Sequence, residues 1–306
     1  MSVPWSVAPA AGSPFEGELD GPVWDGRALL FCNATRNELW RYDDDAGAAT
    51  PDRRQTVRTR GLALAPDGRL YAAQTRARRI VWYRDDGASY YVESMVDGER
   101  RNDPLHLVID NAGRIWSTDR WTEDSSGGPV GYPPLAYRAV LRLDPGATGA
   151  PDAVRTFTVH RATSDTTQPH GVALSPDERT LYMSDDGDAT TPPTLRSYRI
   201  SSDGGLSDAT ILRRYAAGDG AAGLAVAADG AIVAVAGAPG SANGSRVETI
   251  GPDGSAGATL ALASGAPTAC AFGGRGLDVL FVTTATGELI RITNTGLRGR
   301  AMGRTT

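Results

Sequence analysis

One short unit recurs along this chain and limits what it can fold into. It is an apolar run, a turn of the Asp-Gly type, and a second run rich in aliphatic and aromatic residues. Its clearest copies are Gly61-Leu-Ala-Leu-Ala-Pro-Asp-Gly-Arg-Leu-Tyr71, Gly171-Val-Ala-Leu-Ser-Pro-Asp-Glu-Arg-Thr-Leu-Tyr182 and Gly223-Leu-Ala-Val-Ala-Ala-Asp-Gly-Ala-Ile-Val233. Weaker copies begin at Gly21, Leu107 and Ala269, and most are followed by a third strand such as Glu38-Leu-Trp-Arg-Tyr42 or Glu288-Leu-Ile-Arg-Ile292. The residue five before the end of each first run is Asp20, Arg60, Leu105, His170, Ala222 or Thr268, at intervals of 40, 45, 65, 52 and 46 residues. A strand-rich period of about 40–50 residues is the mark of a β-propeller, in which each repeat is one four-stranded blade. Six copies predict an all-β, six-bladed β-propeller forming a single domain over residues 1–306. Its blades should start near 20, 60, 105, 170, 222 and 268. The first fifteen or so residues are expected to add the outer strand that closes the last blade. The long third interval holds an insertion, Thr122-Glu-Asp-Ser-Ser-Gly-Gly-Pro-Val-Gly-Tyr-Pro-Pro134, expected to cover one face.

In a propeller the first strand of each blade lines a central channel, so the six marked residues form a ring around one mouth. An acid (Asp20), an arginine (Arg60) and one of only three histidines (His170) fall on it. A carboxylate facing an imidazole can hold a metal or run acid–base chemistry. His106 lies beside ring position Leu105 and is a further pocket candidate, while Trp121 and Tyr132 in the insertion are placed to cap an apolar ligand. Asp119 and Asp185-Asp186 end second strands and are expected to accept hydrogen bonds from loop amides.

Composition removes other chemistries. All 31 basic residues are arginine, which excludes Schiff-base and P-loop lysines. Two cysteines, Cys32 and Cys270, make neither a disulfide framework nor a thiolate zinc site. A net charge of −5 argues against nucleic acid or an anionic membrane as partner. No apolar run approaches the roughly 20 residues that span a bilayer. Met1-Ser2-Val3-Pro4-Trp5 has neither a basic start nor an apolar stretch, so a cytoplasmic location is expected. There is no Gly-x-Ser-x-Gly elbow, His-Glu-x-x-His or dinucleotide fingerprint.

At these residues the sequence resembles the regucalcin/gluconolactonase family of six-bladed propellers, which are metal-dependent lactone hydrolases and their relatives. Asp20-Gly-Pro-Val-Trp24 is similar to the family's Glu-Gly-Pro-Val-Trp, and Arg100-Arg-Asn-Asp103 to Arg-x-Asn-Asp. Pro169-His-Gly-Val172 stands for Pro-Asn-Gly-Leu, and Gly113-Arg-Ile-Trp-Ser-Thr-Asp119 for Gly-x-Ile-Trp-Phe-Thr-Asp. The resemblance implies a divalent cation held by a Glu, an Asn and an Asp of the ring. Here Asp20 and His170 replace the first two and Ala222 replaces the third, with Asp219 three residues earlier. Calcium takes six to eight oxygens and zinc three or four ligands, so a calcium or zinc ion would rest on Asp20 and His170 alone. Without a metal, the same two residues form an acid–base pair.

The family's substrate contacts map onto Arg100 and Asn102, with Arg60, His106 and Trp121 as further candidates for binding. The segment Asn102-Asp-Pro-Leu-His106 is about three residues longer than the family's link into the strand. Leu105, Ala222 and Thr268 leave much of the ring without charge, which disfavours a polyhydroxylated sugar lactone. The expected function is a lactonase-like hydrolase acting on a small, relatively apolar lactone or related ring, with Asp20 and His170 as the catalytic pair. Two alternatives stand beside it. One is a metal-independent isomerase or cyclase of secondary metabolism using a His–Asp pair, and the other is a non-catalytic ligand-binding propeller.

Overall fold

The computed structural model describes residues 5–10, 15–121, 132–147, 153–263 and 265–300. Among these residues the regular elements are all strands, and none forms a helix long and apolar enough to cross a membrane. Six antiparallel four-stranded sheets are arranged as the blades of a propeller. Their innermost strands, here numbered as blades 1 to 6, are Leu19–Trp24, Thr59–Leu64, Asp103–Ile109, Pro169–Leu174, Ala221–Val226 and Pro267–Gly273. Each starts within two residues of a position marked by the sequence repeat. Blade 6 takes its outer strand from the other end of the chain: Ser6–Pro9 pairs antiparallel with Leu289–Thr293, Val7 opposite Ile292.

The repeat produces this geometry through its turns and its apolar runs. In blade 2 the Asp-Gly turn places Gly68 at φ +84°, where a side chain would strain the backbone. The apolar runs are buried on both faces because each sheet packs against two neighbours. Six clusters of buried side chains result, one at each blade junction. Between blades 6 and 1, for example, Trp24 stacks on Phe281 with ring centroids 6.3 Å apart. With the apolar material distributed around the ring, the axis is left for the innermost strands. These approach each other closely: a Cβ on Gly61 would lie 2.4 Å from the Leu105 carbonyl oxygen of the next blade.

All six innermost strands also carry a pairing irregularity at the ring position. It spans Asp20–Val23, Thr59–Gly61, Pro104–Leu107, Pro169–Val172, Ala221–Gly223 and Pro267–Ala269. A bulge re-aims the side chains beside it. The repeat thus supplies a scaffold in which ring side chains from distant parts of the chain meet.

Candidate functional site

Two histidines meet at the channel mouth, one from blade 3 and one from blade 4. The rings of His106 and His170 lie 5.5 Å apart, inclined at 39°. A buried hydroxyl ties their backbones together. The His106 N–H donates to Thr118 Oγ1 (3.0 Å), and that hydroxyl donates to the His170 carbonyl (2.8 Å).

Each imidazole has its own carboxylate. His106 Nε2 bonds Asp20 Oδ1 across the channel at 2.9 Å, and the Gly21 N–H donates to the same oxygen at 2.8 Å. His170 Nδ1 lies 2.9 Å and 3.1 Å from the two oxygens of Asp186. Arg120 Nη1 donates to Asp186 Oδ2 at 2.8 Å and lies 3.1 Å from His170 Nδ1. The two carboxylates sit on different ring nitrogens. His106 uses Nε2 and leaves Nδ1, whereas His170 uses Nδ1 and leaves Nε2. Arg60 completes the mouth, ion-paired with Glu18 and with its Nε 3.9 Å from Asp20 Oδ2.

Burial would raise the Asp20 carboxyl, but the His106 contact and Arg60 outweigh it and hold the group below the usual carboxylate range. Burial lowers the His170 imidazole; Asp186 opposes this, while Arg120 and His106 reinforce it, and the net direction is down. A neutral imidazole with one nitrogen anchored to a carboxylate is equipped to accept a proton at the other.

Of the residues expected at the mouth, the structure gathers Asp20, Arg60, His106 and His170, but it re-pairs them: the carboxylate partner of His170 is Asp186 rather than the expected Asp20, which bonds His106 from across the channel. Leu105, the ring position counted from the repeat, is fully buried, and His106 makes the contacts instead. The bulge of blade 3 sets Leu105 and His106 against one residue of the second strand, and the position that glycine takes in blades 1, 2, 4 and 5 is here His106.

Arg100 and Asn102 are not brought to the histidine pair. Arg100 donates to the Ala77 carbonyl at 2.7 Å and lies over the Tyr132 ring. Asn102 is buried and bonded at both ends of its amide: the nitrogen donates to the Tyr137 carbonyl, and the oxygen accepts from the Leu135 N–H, both at 2.8 Å. The longer link after Asn102 makes it a clamp where the chain returns from the insertion. Trp121 lies over Arg78, 5.0 Å from the guanidinium carbon, and its carbonyl accepts from Gln168. Residues 122–131 of the insertion lie outside the described residues, and so does its expected covering role.

Glu18, Thr118 and Arg120 escaped sequence reasoning, and Asp186 was expected only to accept from loop amides. Asp185 does cap loop amides, accepting from Thr167, Gln168 and Gly187. Asp119 similarly accepts from the Asn102 N–H and from Arg101. Asp186, by contrast, faces His170. The strand register, rather than the repeat itself, singles out Arg120 and Asp186. The residues that follow the second-strand partner of each innermost strand are Ala34, Thr75, Arg120, Asp186, Gly237 and Ala285. This second ring carries its only two charges in blades 3 and 4.

The positions implied for a divalent cation are largely engaged or without a donor among the described residues. Ala222 offers no ligand. Asp219 is held elsewhere by Arg246 (2.7 Å), Ser241 (3.0 Å) and Asn243 (2.5 Å). Asp20 is engaged by His106 and Gly21, with the Arg60 charge beside it. Among the described residues no group of three or more His, Cys, Asp or Glu side chains could hold a metal ion.

Comparison with known proteins places this architecture. Residues 19–286 match the profile of the SMP-30/Gluconolactonase/LRE-like region. The gluconolactonase of Zymomonas mobilis subsp. mobilis is 28% identical over 299 residues, covering 89% of this chain and 77% of that protein. A gluconolactonase structure from Xanthomonas campestris superposes with a TM-score of 0.78 at 23% identity, covering 94% of this chain and 89% of that one. The calcium-binding regucalcin of Agrobacterium tumefaciens superposes with a TM-score of 0.74 at 18% identity, over 99% and 98% of the two chains. The chain belongs to the SMP-30/gluconolactonase/LRE-like family.

Proposed function

We propose that this protein is a lactone hydrolase acting on a small, relatively apolar lactone held at the channel mouth. The relatives named gluconolactonase support the reaction class. The observation that carries the reading is the facing pair of imidazoles, each oriented by its own aspartate. In this scheme the lone pair of His170 Nε2 takes a proton from water as the water oxygen bonds to the lactone carbonyl carbon. The tetrahedral intermediate collapses, the bond from that carbon to the ring oxygen breaks, and His170 returns the proton to the departing oxygen. One lactone and one water give one hydroxy acid. His106, anchored through Nε2 to Asp20, presents Nδ1 to the substrate.

The preference for few hydroxyls follows from the far side of the ring. Ala222 has no donor, and the Thr268 hydroxyl is taken up by the Leu19 carbonyl at 2.6 Å. A substrate hydroxyl left unpaired there costs about 1–3 kcal/mol. The test is a panel of γ- and δ-lactones, alkyl-substituted and polyhydroxylated, followed by pH-stat. Turnover favouring the alkyl members supports the reading, and opening of no lactone sinks it.

A second reading draws on the same pair, because two oriented imidazoles can shuttle a proton without water or metal: isomerisation or ring closure of a small substrate. Incorporation of label from H2¹⁸O separates the two, since only hydrolysis places solvent oxygen in the product. A propeller that binds its ligand without turning it over would be insensitive to loss of His170.

A further inference from the structure

The geometry points to fixed guanidinium groups, not a bound metal ion, as the source of positive charge for the reacting carbonyl, with Arg120 as the principal group and Arg60 as the second. This inference rests on the lactone-opening reading above. A divalent cation needs carboxylate oxygens that no internal cation already holds. Asp20 has His106 and Gly21 on one oxygen and Arg60 near the other. Asp186 is held by His170 and Arg120, and Asp219 by Arg246. The donor types that would bind an ion are therefore present but matched to arginines.

Those arginines have capacity left. Arg120 Nε is buried with no hydrogen-bond partner among the described residues, and Arg60 Nε, also without a hydrogen bond, has only its 3.9 Å ion pair with Asp20 Oδ2. They flank the histidine pair, Arg60 on the Asp20 side and Arg120 on the His170 side. A guanidinium stays charged at any working pH, and its planar donors suit an oxygen that gains negative charge. When water adds to the lactone, the carbonyl electron pair moves onto oxygen, and a donor fixed there in advance lowers the barrier. When the intermediate collapses, the pair returns and the ring C–O bond breaks, so the arginine neither gains nor loses a proton. Arg120 would then do two things: donate toward the oxyanion and hold Asp186 against His170.

The test uses the full-length chain and the lactone it opens best. Arg120→Ala and Arg120→Lys are assayed with and without millimolar guanidinium chloride, next to elemental analysis and thermal melts in calcium, zinc or manganese chloride. The expected result is a kcat about 10²-fold lower for Arg120→Ala, with a smaller loss for the lysine variant. Free guanidinium should restore about tenfold, whereas the metals should restore nothing and leave the wild-type melting temperature unchanged. Guanidinium rescue distinguishes a charge role from a folding defect. One bound equivalent of metal whose removal lowers both the melting temperature and the rate would overturn the inference, as would an Arg120→Ala protein with wild-type kcat. If the wild type opens no lactone, the functional reading fails separately, and the metal content and melts still decide the question of the cation.

Discussion

The two His–Asp pairs at the mouth are made of the same groups but sit in different surroundings. Asp20 reaches His106 across the channel from blade 1 to blade 3, and its side chain is 1% exposed. Asp186 reaches His170 within blade 4, with a side chain 31% exposed and Arg120 beside it. A carboxylate sealed from water must be matched by its partners or the fold suffers, whereas one open to water can be lost more cheaply. Asp20 is therefore part of the fold as much as of the site, while Asp186, on the function proposed above, orients and tunes His170.

The contrast can be tested by substitution, starting with the histidine that carries the open nitrogen. His170→Ala is expected to lower kcat/KM about 10²–10⁴-fold in steady-state assays, with little change in melting temperature. Asp186→Asn preserves shape but removes the anion that selects the Nδ1–H form of His170. Its expected loss is about 10²-fold in kcat with KM nearly constant. On the stability axis the order reverses. Asp20→Ala should cost about 3 kcal/mol in urea unfolding, against about 1 kcal/mol or less for Asp186→Ala. Equal stability losses would erase the distinction drawn here. Thr118→Val should separate the two histidine backbones slightly and slow turnover about tenfold, with Thr118→Ser recovering most of it. Asn102→Ala marks the lower end. Loss of its buried amide contacts should lower the melting temperature, while kcat/KM stays within about threefold of wild type.

pH separates the two pairs further. Because the His170 imidazole is held below its ordinary value of 6.5, the rate should fall with acid at a midpoint under 6.5. Arg120→Gln removes a cation that disfavours protonation, so the midpoint should move up. In stability terms the unfolded chain takes up the proton at position 170 before the folded one does. This contribution is complete above pH 6.5 and is lost as pH falls through the folded value. Asp20 and Asp186 are both held below 3.8 in the folded chain, so their contribution fades only in more acid solution, below about pH 3.8.

Much of this molecule could be read from its repeats. The Asp-Gly turns and the apolar runs recur at a blade's length, and the first residues complete the count of strands. At the mouth the reading is good where a glycine follows the ring residue, as in Asp20-Gly21, Arg60-Gly61, His170-Gly171 and Ala222-Gly223. That glycine lets the next innermost strand approach. Blade 3 breaks the rule with Leu105-His106, where the second residue of the pair, not the first, bonds across the channel. Sequence periodicity does not report that choice. Asp186 and Asp185 are adjacent and chemically identical, and only the pairing of Pro169 with Asp185 shows which one faces His170. Asn102 could not be placed because its partners, the backbones of Leu135 and Tyr137, are brought to it by a return of the chain from the insertion.

The central claim is that His106 and His170 act as one unit in lactone opening. A double-mutant cycle on kcat/KM tests it most directly, using His106→Ala, His170→Ala and the double variant on the best lactone of the panel. If the pair works together, each single variant loses about 10²-fold or more and the double loses little beyond the worse single. Losses that multiply in the double variant, or a His170→Ala protein that opens the lactone at the wild-type rate, would contradict the account.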